Sequence, residues 1–170
     1  PTEIKSVKVR AIIARMKKVL AKERDGVAIA APQVGEPLRI FVIGTQAFDM
    51  LKKAKDRKNS ITPGEDISKT VKSKDMVFIN PKILKQSKEQ KPMEEGCLSV
   101  RFKYGKVMRA QKTTVGALNE HGEKFTLGGS GLMAQIFQHE IDHLNGILFI
   151  DKAREIQELP PPQKGRTNHE

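Results

Sequence analysis

The sequence predicts an α+β fold in which short antiparallel or mixed strands pack around a central helix late in the chain, with an amphipathic helix ahead of them. Three features predict this fold: helical apolar spacing near the start, several short β-branched blocks, and a second apolar-faced helix after residue 130. A chain of 170 residues supports one hydrophobic core. We therefore expect a single domain over residues 1–151 and a polar, Pro-rich, disordered tail over 152–170.

The first helix is predicted over residues 7–24, and Asp25 and Gly26 end it. A run of small residues follows, and then the apolar, β-branched block 38–43 predicts a buried strand. Residues 44–75 are polar and Lys-rich, which predicts a long surface loop with one short helix near 46–55. The apolar positions that give the first helix its 3.6-residue period are Val9, Ile12, Ile13, Met16, Val19 and Leu20.

The second half of the chain predicts short strands and then the central helix. Strand candidates lie at 76–79, 82–84, 107–110, 113–118 and 123–127, and residues 119–122 form a turn between the last two. Ser130 is the expected N-cap of the helix, and Asn145 and Gly146 are its expected stop. Short links of this kind favour antiparallel pairing.

Composition restricts the compartment and the partners. There are 31 Lys and Arg against 20 Asp and Glu, a formal net charge of +11, which attracts polyanions such as ribosomal RNA. The Lys-rich stretches 52–58 and 69–91 lack interleaved aromatics, so a solvated face is their commoner explanation. Cys97 is the only cysteine, and the chain shows no signal-peptide pattern and no apolar run near 18 residues. We expect a cytoplasmic protein that does not associate with membranes.

The segment His139-Glu140-Ile141-Asp142-His143 indicates chemistry. Its two imidazoles are four residues apart on a predicted helix, so they lie on one face and can bind one metal ion. Glu140 can then take a proton from an attacking water and pass it to the leaving group. A chance pairing of surface histidines is the plainer alternative. The pattern favours metal-assisted hydrolysis.

The third metal ligand is less certain from the residues alone. The position six residues after His143, where some metalloproteases have a third histidine, is Phe149. Glu155 and Glu158 are available but lie in the polar tail. Cys97 offers a thiolate, a good ligand for Fe²⁺ or Zn²⁺, although a lone cysteine is more often a small core residue. Gly96 beside it indicates a tight backbone approach.

Three segments together resemble the signature motifs of the peptide deformylases, in the same order: 26–35, 95–99 and 138–144. The resemblance implies that Cys97, His139 and His143 bind one divalent ion. In this family the ion is usually Fe²⁺, and Zn²⁺, Ni²⁺ or Co²⁺ are alternatives in a purified sample. The implied reaction is removal of the formyl group from N-formylmethionine on nascent polypeptides, with release of formate.

The resemblance also implies the remaining roles. Glu140 is the general acid and base, and the Gln33 amide with the backbone N–H of Leu98 stabilises the oxyanion. Arg109 pairs with Glu95 and steadies the Cys97 segment. Asp142 is expected to support the helix or its neighbours rather than to bind the metal. The residues implied to stand near the methionine side chain are Gly26, Ile29, Leu98 and Ile136.

The sequence departs from the family at Ala28, where a second glycine is usual, and at Arg101, which replaces a common proline. Two other functions remain open. One is a zincin-type endopeptidase, which the absence of a histidine at Phe149 weakens. The other is a catalytically silent relative that binds ribosomes or RNA through its basic surface.

Overall fold

The computed structural model describes residues 3–23, 26–57 and 74–159. The predicted α+β class with a leading helix is confirmed. In chain order the elements are α1 (Val7–Lys22), β1 (Ala28–Ala30), a 3₁₀ helix (Ala31–Val34), β2 (Ile40–Ile43), α2 (Thr45–Arg57), β3 (Met76–Gln86), β4 (Gln90–Cys97), β5 (Val100–Ala110), β6 (Lys112–Leu118), β7 (Lys124–Ser130), α3 (Leu132–Leu144), α4 (Phe149–Lys152) and β8 (Arg154–Glu158).

The strands form two sheets, and every described pairing is antiparallel. The larger sheet has the order β1-β2-β3-β6-β7, and the smaller has the order β4-β5-β8. The β4–β5 hairpin turns at Leu98 and Ser99, since Cys97 is paired with Val100. This turn brings the only cysteine to one end of the smaller sheet.

The larger sheet lies between α1 and α3, with an apolar layer on each face. Alternate residues of β2 divide between the layers because successive side chains of a strand point to opposite faces. Ile40 and Val42 pack with α1, whereas Phe41 and Ile43 pack with α3. The α1 side chains in the first layer are Val9, Ile12, Ile13, Met16 and Leu20, which are the residues that the helical period predicted.

The helix boundaries were predicted with mixed success. α1 ends at Lys22 rather than at residue 24, and the Ser6 hydroxyl caps its start by accepting from the Val9 N–H at 3.2 Å. Ser130 as the N-cap of α3 is wrong, because Ser130 still pairs with Lys112 in the sheet and Gly131, at φ 55°, makes the turn. Gly146 at φ 74° follows α3, as the predicted stop requires.

Several strands are longer than predicted, and three, β1, β4 and β8, were not predicted. The candidates at 76–79 and 82–84 are one strand, β3, interrupted by a register shift near Asn80 at φ 49°. β4 was not predicted because its residues are polar and mostly exposed and include Pro92. These features are typical of a strand at the edge of a sheet, where β4 lies. β1 is three small or branched residues, too short for a pattern to appear.

The expected loop and tail need correction. The structure places α2 inside the predicted 44–75 loop, where a short helix was expected, and residues 58–73 lie outside the described residues. The tail is not disordered from residue 152, because Arg154–Glu158 forms β8 on β5. All side chains of β8 are exposed, so the strand lacks the alternation of buried and exposed residues from which a strand is predicted. Residues 160–170 lie outside the described residues. None of the described helices has the length and apolar character needed to cross a membrane.

Candidate metal centre

Three donor atoms from two elements meet at one point. Cys97 ends β4, and His139 and His143 lie one turn apart on α3. The His143 Nε2 is 3.1 Å from the Cys97 Sγ and 3.1 Å from the His139 Nε2. All three donor atoms lie within 4.8 Å of one another. The structure therefore brings together the three ligands that the resemblance implied.

The hairpin before Cys97 is closely packed at Gly96, as the sequence indicated. A Cβ atom at Gly96 would lie 2.8 Å from the ring of Tyr104, which is the cross-strand neighbour of Gly96 on β5. A larger residue would displace the Tyr104 ring from this position. Glycine therefore allows the ring to lie against the backbone just before Cys97.

A buried carboxylate orients the first histidine. The Glu95 Oε2 lies 2.9 Å from the His139 Nδ1, so this nitrogen donates to it and leaves the Nε2 free to bind a metal. Arg109 holds Glu95 in turn with two hydrogen bonds, from Nε at 2.7 Å and from Nη2 at 2.9 Å. The expected Arg109–Glu95 pair is therefore confirmed, and it is buried.

The charges around the donors favour a cation. Burial would raise the pKa of the Cys97 thiol, but hydrogen bonds from His139 and His143 outweigh it and hold the pKa at about 5. Burial would lower the pKa of His139, but the Cys97 sulfur and Glu95 raise it to about 10. Hydrogen bonds from Arg109 and His139 hold the pKa of Glu95 at about 2 despite burial. The metal-free site therefore binds a proton strongly, and a metal ion that binds there would displace this proton.

Glu140 lies next to His139 in the chain, and one of its carboxylate oxygens has no described hydrogen-bond partner. It is 4% exposed, and its Oε2 has no hydrogen-bond partner among the described residues. Burial raises the pKa of Glu140 to about 7, and the nearby histidines only partly offset this effect. A buried carboxylate oxygen with no protein partner is suited to a water molecule held next to it.

The donor set fits a divalent metal ion on these observations. Bond lengths of about 2.0–2.3 Å to a tetrahedral ion put nitrogen and sulfur donors roughly 3.3–3.6 Å apart, close to the separations seen here. A thiolate and two imidazoles suit Fe²⁺, Zn²⁺ or Co²⁺ better than Mg²⁺ or Ca²⁺, which prefer oxygen ligands. Cys97, His139 and His143 would hold such an ion, which would supply a Lewis acid at this site.

Gln33, in the segment 26–35, lies beside the Cys97 thiol. The Gln33 Nε2 donates to the Ser99 Oγ at 2.9 Å and lies 3.5 Å from the Cys97 Sγ, while its Oε1 accepts from the Ala30 N–H at 2.7 Å. Its amide is therefore fixed next to the thiol. Leu98 lies in the same hairpin turn as Ser99.

Gly26 and Ile136 also lie near this turn or the adjoining core, but Ile29 does not. A Cβ at Gly26 would lie 3.2 Å from the Leu98 Cδ1, so the end of α1 and the hairpin touch there. Ile136 packs in the α3 layer together with Ala28. Ile29 faces the α1 layer instead, since it alternates with Ala28 along β1. The place of Ile29 beside the substrate stays a prediction, and its side chain packs on the opposite face of the sheet from Ile136.

Sequence reasoning missed two parts of this site. The hydroxyl of Ser99, which positions Gln33, lies in a motif that was recognised but was given no role. Lys152 was placed in the tail, yet its Nζ donates to Asp142 at 2.7 and 2.8 Å. Asp142 also accepts from the Arg109 Nη1 at 2.6 Å, which agrees with a supporting role rather than a ligand. No spacing rule predicts the pairing of Lys152 with α3.

Comparison with known proteins gives one consistent answer. The family model described as polypeptide deformylase matches residues 1–158. Peptide deformylase 2 of Clostridium acetobutylicum is 44% identical over 155 residues, covering 91% of this chain and 85% of that protein. The peptide deformylase of Syntrophomonas wolfei is 38% identical over 157 residues, covering 89% and 86%.

Solved structures agree with the sequence comparisons. The crystal structure of a peptide deformylase from Legionella pneumophila is similar at a TM-score of 0.68 and 37% identity, over 88% of this chain and 74% of that one. The peptide deformylase from Thermotoga maritima is similar at a TM-score of 0.67 and 32% identity, over 88% and 83%.

Proposed function

Because this chain belongs to the peptide deformylase family, we propose that Cys97, His139 and His143 bind the divalent ion on which its reaction depends. The chain is a metallohydrolase that removes the formyl group from nascent N-formylmethionine peptides. The observation that supports the ligand proposal is the convergence of the three donor atoms within 4.8 Å beside a buried carboxylate.

Glu140 is the general base and then the general acid. A divalent ion bound by the three donors supplies a Lewis acid for the attack of water on the formyl carbon. Glu140 accepts a proton from that water as the new C–O bond forms, and it gives the proton to the amine nitrogen as the C–N bond breaks. The products are formate and the free N-terminal amine. The buried, unpartnered Oε2 of Glu140 supports this role.

Gln33 and Leu98 stabilise the charge that develops on the formyl oxygen. The Gln33 Nε2 donates to the Ser99 Oγ at 2.9 Å and to the Cys97 Sγ at 3.5 Å, and the longer of these two hydrogen bonds gives way to the formyl oxygen when substrate binds. The backbone N–H of Leu98 lies in the turn directly after Cys97. Donors that are already fixed in place cost no reorganisation during the reaction.

The methionine side chain lies near Gly26, Leu98 and Ile136. Leu98 is half-buried and directly follows Cys97, and Ile136 lies one turn before His139 on α3, so both supply apolar side chains near the donors in the chain. The formyl carbon carries only hydrogen and is sterically open, whereas larger acyl groups fit this site poorly. Ala28 is buried in the same layer as Ile136, and its methyl group leaves less room for the substrate than a glycine would.

The physiological ion is Fe²⁺, and Zn²⁺, Ni²⁺ or Co²⁺ can replace it in a purified sample. A thiolate ligand favours these softer ions. One thiolate and two neutral imidazoles leave a divalent ion with a net charge of about plus one, a weaker Lewis acid than a site of three histidines.

The enzyme works in the cytoplasm. Residues 1–151 form one catalytic domain, to which β8 adds an edge strand. The domain contacts the ribosome through a basic surface. Helix α1 supports the ribosome proposal, because it has no acidic residue. Among the described residues, two of its cations have an ion-pair partner, Arg15 with Glu36 and Lys17 with Glu120. The side chains of the Lys-rich stretch 52–58 lie outside the described residues. The basic residues of α1 are Lys8, Arg10, Arg15, Lys17, Lys18 and Lys22.

Co-sedimentation with ribosomes over a range of salt concentrations tests the partner. Replacing Lys18 and Lys22 with alanine should reduce binding and flatten its salt dependence. The matched control replaces Lys82 and Lys85, which are exposed on β3. Equal binding by both double variants would reject α1 as the contact surface.

The ligand proposal is tested by removing and restoring the metal. Formate release from a formyl-methionyl peptide should stop after anaerobic chelation and return when Fe²⁺, Co²⁺ or Ni²⁺ is added. Cys97→Ser should not recover with any of these ions. Lys106→Met serves as the control, since Lys106 only pairs with exposed Glu155. Recovery of full activity by Cys97→Ser would exclude the thiolate as a ligand.

A further inference from the structure

A chain of alternating charges runs from the protein surface to the first metal ligand. Lys152 donates to Asp142, Asp142 accepts from Arg109, and Arg109 donates to Glu95, which accepts from His139. The donor–acceptor distances along this chain lie between 2.6 and 2.9 Å. Only Lys152 is substantially exposed, with 39% of its side chain accessible.

Lys152 gives the inner part of this chain a cation at Asp142. Glu95 and Asp142 are two buried carboxylates, and both accept from the single guanidinium of Arg109. Glu95 also pairs with the His139 ring, whereas Asp142 has Arg109 and Lys152 as its described partners. A buried carboxylate is costly to keep ionised without a cation beside it, and the ammonium group of Lys152 supplies one to Asp142. Without it, Arg109 would be drawn toward Asp142 and would hold Glu95 less firmly.

The short helix α4 contacts the site at a second point as well. Phe149 is 1% exposed, and its ring lies 6.5 Å from the His139 ring, centroid to centroid, at 25° between their planes. Phe149 and Lys152 are three residues apart, so both project from the same face of α4. The Leu148 N–H donates to the Asp151 carboxylate at 2.8 Å, which fixes the start of this helix. α4 is therefore held against both ends of the chain of charges.

We propose that Lys152 is a positioning residue for the metal centre. By holding Asp142, it leaves Arg109 free to clamp Glu95, and Glu95 in turn keeps the His139 Nε2 directed at the other two donors. This inference rests on the proposed ligand set. The residue acts through three others and touches neither substrate nor metal.

The test follows metal retention rather than turnover. Wild-type protein, Lys152→Met, Lys152→Arg and the control Lys106→Met are loaded with Co²⁺, and the visible spectrum is recorded. A chelator in excess is then added, and the rate of Co²⁺ loss is measured. Lys152→Met should lose Co²⁺ about 10- to 100-fold faster and show a shifted spectrum, as other partners of metal-binding histidines do when they are altered. Lys152→Arg should stay close to wild type, and Lys106→Met should not change.

A separate measurement distinguishes positioning from simple stabilisation. Urea unfolding of the metal-free variants reports the fold alone. If Lys152→Met lowers this stability but releases Co²⁺ at the wild-type rate with an unchanged spectrum, the proposal is overturned. If Lys152→Met does not fold, Asp142→Asn interrupts the same chain with an isosteric side chain and should also speed Co²⁺ release. Failure of wild-type protein to bind Co²⁺ would instead reject the ligand set itself.

Discussion

Two regions of the molecule bury different kinds of side chain. One lies between α1 and the larger sheet, and the other lies between α3 and the β4–β5 hairpin. Between α1 and the sheet lies a layer of aliphatic side chains, among them Ile13 and Met16, which are 3% and 0% exposed. Between α3 and the β4–β5 hairpin lie Glu95, Arg109 and Asp142, all less than 10% exposed and joined to one another. Close packing of apolar side chains stabilises the first region, and pairing of opposite charges stabilises the second.

This difference determines how each layer responds to change. An aliphatic side chain that is shortened loses contacts in proportion to the volume removed. A charged side chain that is removed leaves its partner buried and unpaired, so its loss costs more than its own contacts are worth. The aliphatic layer provides a platform, and the charged layer sets the orientation of the metal ligands.

The largest effect is expected at Glu140, whose buried Oε2 has no hydrogen-bond partner among the described residues. Glu140→Gln should lower formate release by about 10²- to 10⁴-fold, because the proton acceptor for water is lost while the shape is kept. Bound metal, measured by elemental analysis, should remain at the wild-type level because the three ligands are intact. Activity within a few-fold of wild type would exclude Glu140 as the general base.

Removing the shared cation should damage the fold itself. Arg109→Met leaves Glu95 and Asp142 buried without their common partner, and we expect a loss of about 3–5 kcal/mol in the free energy of unfolding. Urea denaturation followed by circular dichroism measures it. Arg101→Met is a matched control, since Arg101 pairs with Glu23 at the surface with 62% of its side chain exposed. Equal losses in the two variants would remove the distinction between buried and surface pairs.

Acid should weaken the charged layer selectively. The pKa of Glu95 is about 2 in the folded protein against an ordinary value of 4.5. Its contribution is therefore complete above about pH 4.5 and is lost as the pH falls toward about 2, with a total of about 3 kcal/mol. Urea unfolding of metal-free protein at a series of pH values should show this decline, and Glu95→Gln should lack that part of it. Parallel declines in both proteins would contradict the assignment.

The smallest effect is expected in the aliphatic layer. Ile13→Val removes one methylene from a fully packed side chain on α1, which should cost about 0.5–1.5 kcal/mol of stability. Formate release per metal-loaded molecule should not change, because Ile13 packs in the α1 layer, on the opposite face of the sheet from α3. Thermal unfolding and the formate assay measure the two quantities. A loss of activity at constant metal content would show that the two layers are coupled.

The same contrast explains what could be predicted from the sequence. The aliphatic layer follows the 3.6-residue period of α1, so its members were identified residue by residue. The histidines and Glu140 follow from one helical motif, and Cys97 from the resemblance. Lys152 did not follow, because its pairing with Asp142 depends on how the chain turns after Gly146. Local patterns predict single elements, whereas pairings between elements depend on the path of the chain.

Edge strands were the other failure, and the cause is physical. β4 and β8 lie at the edges of the smaller sheet and expose most of their side chains, so nothing in their composition separates them from loops. The facing of Ile29 was also not predicted. The resemblance implies a place near the substrate, and the alternation along β1 turns its side chain toward α1.

The central claim is that one ion is held by the Cys97 sulfur together with two imidazoles of α3. Titration of metal-free protein with Co²⁺ under anaerobic conditions tests it most directly, because a thiolate bound to cobalt gives a charge-transfer absorption in the near ultraviolet. The account predicts that this absorption saturates at one ion per chain in the wild-type protein and is missing in Cys97→Ser. A wild-type protein that binds Co²⁺ without this absorption would contradict the account.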